Sequence, residues 1–205
     1  MNRGPASESV LVPATAVDLE RFVQMVLKWS SKINLISASS ASMIWKRHIA
    51  DSLQLMDVVS KWSSWVDIGS GGGFPALPIA IASRDVDACG PMTLIESDTR
   101  KAAFLSSVVR EFSLNVSVIP DRAEKVDPLA ADVVSARAVA SMPRLLPMIH
   151  RHLAPGGVGL LHKGRHADAE LREAHRNWSF DLTRHQSATD VSGTILEIRR
   201  LVHAA

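Results

Sequence analysis

One cysteine, Cys89, stands in 205 residues, which excludes an internal disulfide and any multi-cysteine metal site. A single thiol of this kind reads as a small half-buried side chain rather than a reactive group, and it fits a reducing cytosol. No run of about 18 apolar residues exists to span a bilayer. The N-terminal stretch "MNRGPASESVLVPATA" lacks the apolar core of a signal peptide. The sequence therefore predicts a cytoplasmic protein with no membrane partner. A strong excess of either charge is also missing. The net charge of +2 and pI near 8.9 establish no nucleic-acid partner unless the positive residues cluster. What is present is ordinary for a globular enzyme: 46% hydrophobic and 21% charged residues, too apolar for a disordered chain. The length suits one well-buried core with an extension, not two full domains.

Residues 1–13 are small, polar and proline-punctuated, and read as a flexible tail. From Thr15 the pattern changes, with Leu19, Phe22, Val23, Val26 and Leu27 at helical spacing and Thr15 and Asp18 in capping-box positions. A second helix is expected over about Ser40 to Val59, so residues 14–60 form a helical extension. Residues 61–205 then alternate short apolar strands with helical segments, the signature of a parallel sheet flanked by helices. The strands are "WVDIG", "MTLIES", "NVSVIP", "DVVSAR" and "GVGLLHK"; the helices are Pro75–Ser83, Thr99–Phe112 and Met142–His152. "LAPGGV" reads as a helix-ending turn, and "FDLTRHQ" with "GTILEIRRL" as a closing antiparallel hairpin. The fold class is α/β and Rossmann-like.

The stretch "WVDIGSGGGFPALPIAIAS" places a glycine loop at the carboxyl end of the first sheet strand, where open α/β sheets bind ligands. A dinucleotide fingerprint would demand glycine where Phe74 stands, and a phosphate-cradling loop needs a lysine, yet none occurs between Lys61 and Lys101. The spacing present is Gly69, Gly71 and Gly73, preceded by Asp67. Pro75 has no N–H to offer an anion, and Phe74 adds an apolar wall. Such a loop suits a ligand with adenosine but no phosphates, and S-adenosylmethionine is the common one. Its ammonium and sulfonium are cationic, so Asp67 is welcome there, whereas beside a diphosphate it would repel. Glu96 ends the next strand at close to the roughly 20-residue spacing at which an acid meets ribose hydroxyls. Ala123 and Glu124 follow the third strand, where such sites receive the adenine edge.

With these residues assembled, the chain resembles the bacterial glucose-inhibited division protein B family, methyltransferases that modify guanine N7 in 16S ribosomal RNA. The resemblance runs from about Phe22 to Val202 through "LKWSSKINLIS", "WKRHIADSLQL", the glycine loop, "DRAEKV", "VVSARAVASMPRLL" and "LAPGGVGLLHKGR". The glycine loop alone specifies only a methyltransferase; "NLIS", "RHIADSL" and "SARAVA" in this order are more specific. The resemblance implies a class I S-adenosylmethionine-dependent fold, with cofactor contacts at Gly69, Phe74, Glu96, Ala123, Glu124 and Arg137. Its partner is 16S ribosomal RNA or the small ribosomal subunit, and the expected state is a monomer. One departure is Ala76, where family members usually carry glycine.

Arg47, His48, Asp51 and Ser52 fall on about one helical turn and read either as a cap-and-salt-bridge cluster or, given the resemblance, as positioning residues over the cofactor mouth. Arg137 joins them as a positioning candidate, against a plain surface ion pair. Lys163 and Arg165 are RNA-binding candidates, with Arg47 and with Trp45 as a stacking platform. The histidines lack a carboxylate or cysteine to complete a metal set, so no metal is expected. No catalytic acid or base is assigned, because guanine N7 carries a lone pair and no proton. Two other readings remain open: methyl transfer to another acceptor, and a non-catalytic adenosine-ligand sensor or ribosome-binding protein.

Overall fold

The computed structural model describes residues 13–204. Four parallel pairings and two antiparallel ones join seven strands in the order β3-β2-β1-β4-β5-β7-β6. The strands are β1 (Trp65–Ile68), β2 (Met92–Ile95), β3 (Val116–Ile119), β4 (Ala131–Arg137), β5 (Leu153–Lys163), β6 (Trp178–Gln186) and β7 (Thr194–His203). β1 and most of β4 are buried, as their apolar runs predict for strands covered on both faces. The sheet order reverses between β1 and β4, which opens a crevice at their carboxyl ends.

Helix α1 spans Pro13–Ser30, two residues earlier than the capping-box reading placed its start. Its Leu19, Phe22, Val23 and Val26 are buried in one core with Leu77, on α5 (Ala76–Ala82), and Phe104, on α6 (Thr99–Glu111). Asp98 caps α6 by accepting from the N–H groups of Arg100 and Lys101. On the other face, α7 (Met142–His152) and α8 (Ala167–Ala174) pack against β4 and β7. The helix α8 was not anticipated, although Ala167, Leu171 and Ala174 are spaced to share one face.

Two sequence expectations change. The single helix expected over Ser40–Val59 is broken into α2 (Ala38–Ala41), a π-helical segment at Trp45–Ala50, α3 (Asp51–Leu53) and α4 (Leu55–Val58). The widened turn falls on "WKRHIA", and π-helical insertions of this kind are frequent at functional sites. The "LAPGGV" turn is instead an excursion within β5: Ala131 pairs with Leu153 and Val133 with Val158, so the extra residues loop out of register. Gly156, at φ 81°, supplies the left-handed backbone that the turn signal predicted.

Candidate active site

The loop after β1 turns back on itself at Gly69, φ 65°, and Gly71, φ 53°. A Cβ on Gly69 would come within 2.7 Å of the Val139 side chain, so only glycine lets the loops after β1 and β4 meet. Gly71 differs: its Cβ would meet only the Gly69 carbonyl, at 3.8 Å, and otherwise open space. That space is a cleft of about 480 Å³ lined by Leu35, Arg47, His48, Gly71, Phe74 and Glu96, among others. Gly73 faces away from it, against Leu77.

Glu96 is buried at the end of β2, where its Oε2 accepts from the Gly71 N–H at 2.8 Å and its Oε1 from the Asp98 N–H at 2.8 Å. The acid thus holds the glycine loop in place while facing the cleft, and its remaining lone pairs are free for hydroxyl donors. Beyond it lies a slot of about 80 Å³ between Ile68, Ile95, Ala123, Glu124 and Met148. Buried His152 fixes this slot, its Nε2 donating to the Ala123 carbonyl at 2.9 Å. The cleft and the slot share Gly69. The two volumes thus flank Glu96, as an extended nucleoside with a polar tail requires.

Asp67 lies beneath the loop, 1% exposed. Its Oδ1 accepts from the Ser135 hydroxyl at 2.5 Å, while Oδ2 is sealed from solvent without a hydrogen-bond partner. Burial pushes its pKa up to about 6, against the opposing pull of the Ser135 and Ser70 hydroxyls. Asp67 lines neither the cleft nor the slot, so the direct contact with a cationic cofactor expected from the sequence is not open to it; the glycine loop covers it. A raised folded-state value means that stability is lost as pH rises from 3.8 through about 6. The cost at neutral pH is on the order of 3 kcal/mol. Asp67→Asn is therefore expected to raise the melting midpoint of the ligand-free protein by roughly 5 °C at pH 7.5, and by about half as much at pH 5. Equal gains at the two pH values in a thermal melt would refute the assignment.

Arg137, at the end of β4, ties the sheet to the π-helical segment. Its Nη1 donates to the Arg47 carbonyl and to Asp51 Oδ2, both at 3.1 Å, and its Nη2 donates to His48 Nδ1 at 2.7 Å. The guanidinium also stands 5.1 Å from the Phe74 ring centre, and His48 packs on the same ring at 4.8 Å. Burial and then the Arg137 charge push the His48 pKa down to about 4, so the imidazole is neutral and carries its proton on Nε2. That Nε2–H has no partner. Four predicted residues are brought together: Arg47, His48, Phe74 and Arg137 all line the cleft. Asp51 faces the neighbouring cavity and takes three further donors, Gln54 Nε2, Thr189 Oγ1 and His162 Nε2, the last through its backbone carbonyl.

Other candidates lie elsewhere. Ser52 is buried with its hydroxyl donated to the His48 carbonyl at 2.6 Å, a role inside the helix. Trp45 donates its indole N–H to Glu20 at 3.0 Å, which fastens it to α1, and it does not line the cleft. Lys163 is turned inward, 9% exposed, donating to the Ala140 carbonyl at 2.7 Å and to Glu170 at 2.9 Å. The expectation that it contacts an RNA surface ignored the strand end that carries it into a cavity. Arg165 is exposed, and with Arg47 its charge reaches Asp190. Among the described residues no cluster of potential metal ligands is present, and no helix is long and apolar enough to cross a membrane.

A sheet of this order with a cleft, a slot and a second cavity at the carboxyl ends of β1, β2, β4 and β5 belongs to the class I methyltransferases. Solved structures share the fold. They include an O-methyltransferase from Bacillus cereus in complex with SAH (TM-score 0.57, 15% identity, 93% of this chain and 100% of that one). A tRNA (m1A58) methyltransferase from Aquifex aeolicus also matches (TM-score 0.58, 14% identity, 90% of this chain and 76% of that one). Within this class the chain belongs to the rRNA small subunit methyltransferase G (GidB) family, whose profile matches residues 15–201. Relatives named Ribosomal RNA small subunit methyltransferase G include that of Paracoccus denitrificans, 45% identical over 188 residues, covering 91% of this chain and 95% of the relative. That of Acidiphilium cryptum is 44% identical over 190 residues, covering 91% and 86%.

Proposed function

We propose that the chain transfers the methyl group of S-adenosylmethionine to N7 of a guanine in 16S ribosomal RNA. The observation that carries this reading is the glycine cleft: it sets the open side of Gly71 beside Glu96, an acid at the ribose position, and it belongs to a chain of the small-subunit rRNA methyltransferase family. Gly69 and Gly71 give the backbone its close approach, Glu96 meets the ribose hydroxyls, and the Ala123–Glu124 slot takes the adenine. Bound there, S-adenosylmethionine supplies a sulfonium-activated methyl carbon.

The chain's own contribution is alignment. N7 attacks with an in-plane lone pair, so no side chain has to remove a proton, and a neutral His48 and an Arg137 held by three acceptors are consistent with that. Phe74, His48 and Leu35 exclude water from the line of transfer. As positive charge moves from the cofactor to the purine, Asp51 and Glu170 beyond Arg137 lie on the side where it arrives. The test is transfer from radiolabelled S-adenosylmethionine to small subunits from cells lacking the protein, to naked 16S RNA and to small molecules, followed by nucleoside analysis. The expected product is 7-methylguanosine in the RNA. Cofactor binding with no methyl incorporated into any acceptor would overturn the enzyme reading.

A further inference from the structure

A second cavity, of about 490 Å³, adjoins the cofactor cleft. The two share Arg137 and Ala138, the start of the loop after β4. Its other walls are the end of β5 at His162–Gly164, Glu170 on α8, and the β6–β7 connection through Ser187 and Asp190. Gln54 and Asp51 stitch that connection down, accepting from the Ala188 N–H at 3.0 Å and the Thr189 hydroxyl at 2.8 Å. Ala138, at φ 55°, holds a left-handed conformation rare for a residue with a Cβ, at the point where the two cavities meet.

Three carboxylates line this cavity, and they are not equivalent. Asp51 is consumed by Arg137, Gln54 and Thr189. Asp190 stands exposed at the rim. Glu170 is partly buried, and its Oε2 is fixed by two donors, the Met142 N–H at 2.8 Å and Lys163 Nζ at 2.9 Å. Its Oε1 makes no hydrogen bond among the described residues. His162 lies in the same wall and donates from Nε2 to the Asp51 carbonyl at 2.9 Å, and burial holds its pKa down, so the ring is neutral. Its Nδ1 is sealed from the cavity and offers no contact to a ligand, which leaves Glu170 Oε1 as the open acceptor. Lys163, with two of its three protons used, keeps one to donate.

An unfilled carboxylate oxygen beside one cationic donor complements an edge that sets adjacent N–H donors next to a carbonyl. Among the bases, that is the guanine edge of N2–H, N1–H and O6; adenine offers an acceptor at N1, which a carboxylate would repel. We propose that this cavity is the acceptor-base pocket, and that Glu170, oriented by Lys163 and the start of α7, reads the N1–H and N2–H donors of guanine. This rests on the reading of the chain as a guanine methyltransferase. Methylation leaves the purine positively charged, and a carboxylate on its far edge favours that product over the neutral base.

The test compares RNA carrying guanosine at the modified position with RNA carrying inosine there, which keeps N7, O6 and N1–H but lacks the amino group. The wild-type enzyme is expected to methylate guanosine with a kcat/KM about tenfold or more above inosine, the range for a base contact to an ionised partner. Glu170→Gln should cut kcat/KM for guanosine by about a hundredfold and reduce the discrimination to within about twofold, with the S-adenosylmethionine Kd unchanged. If Glu170→Gln fails to bind the cofactor, the readout passes to Glu170→Asp, which keeps the charge for Lys163 and should still lose discrimination. Discrimination retained in the variant that binds cofactor, or absent from the wild type, would overturn the proposal. Absence of 7-methylguanosine from wild-type reactions would instead overturn the functional reading beneath it.

Discussion

Replacing Gly71 with leucine is expected to lower S-adenosylmethionine affinity by at least a hundredfold, measured by calorimetry, while the protein stays folded. The left-handed backbone at φ 53° costs a residue with a Cβ about 1–2 kcal/mol, which a 205-residue fold tolerates. The larger effect is steric. The new side chain enters the cleft at the place the ligand must occupy, because nothing but the Gly69 carbonyl stands within 4 Å of its Cβ. Gly69 makes a poorer test, since a side chain there strikes Val139 at 2.7 Å and displaces the loop after β4 as well. Affinity within about threefold of wild type in the Gly71 variant would show that the cofactor lies elsewhere.

Arg137→Ala carries the second large effect. It leaves the Asp51 carboxylate, 15% exposed, without its charge partner and strips donors from His48 Nδ1 and the Arg47 carbonyl. Breaking a buried pair in this way costs about 3–5 kcal/mol, and a chain of this size should lose roughly 10 °C in its melting midpoint. Methyl transfer should fall by a hundredfold or more, because the residue stands between the cofactor cleft and the second cavity. Arg137→Lys should recover only part of this, since one ammonium cannot span three acceptors as the planar fork does. A further readout is the His48 titration by NMR. In the wild type the ring stays neutral down to about pH 4. Without the guanidinium one of the causes lowering its pKa is gone while Asp51 still raises it, so its midpoint should move up. An unchanged His48 midpoint would refute the clamp.

Much of the glycine cleft was legible in the chain. Gly69, Gly71 and Glu96 follow from strand endings and local spacing, and a parallel sheet follows from apolar runs broken by helical segments. The second cavity was not. Lys163 and Arg165 sit two apart in "HKGR", and charge alone made them equivalent. The strand end turns one into a cavity, against Glu170 and the Ala140 carbonyl, and leaves the other in solvent. Glu170 looked like any acid on a charged segment, because the helix that carries it went unrecognised. Trp45, beside two basic residues, suggested a stacking platform, yet its indole N–H is held by Glu20 on α1.

The sequence by itself determined what depends on near neighbours: the glycine turn after β1, the acid that ends β2, the alternation of strand and helix, and the family to which these belong. The tertiary structure decided what depends on sheet order. Arg137 meets His48 and Asp51, and Asp51 meets Thr189, only because the π-helical segment lies across the ends of β4 and β5 with the β6–β7 connection beside it. Helical and strand periodicities report on residues within a few positions of one another. A pocket assembled from residues 51, 137, 162, 170 and 190 leaves no trace in such a pattern, and its charges acquire their roles only once burial removes the water that would otherwise satisfy them.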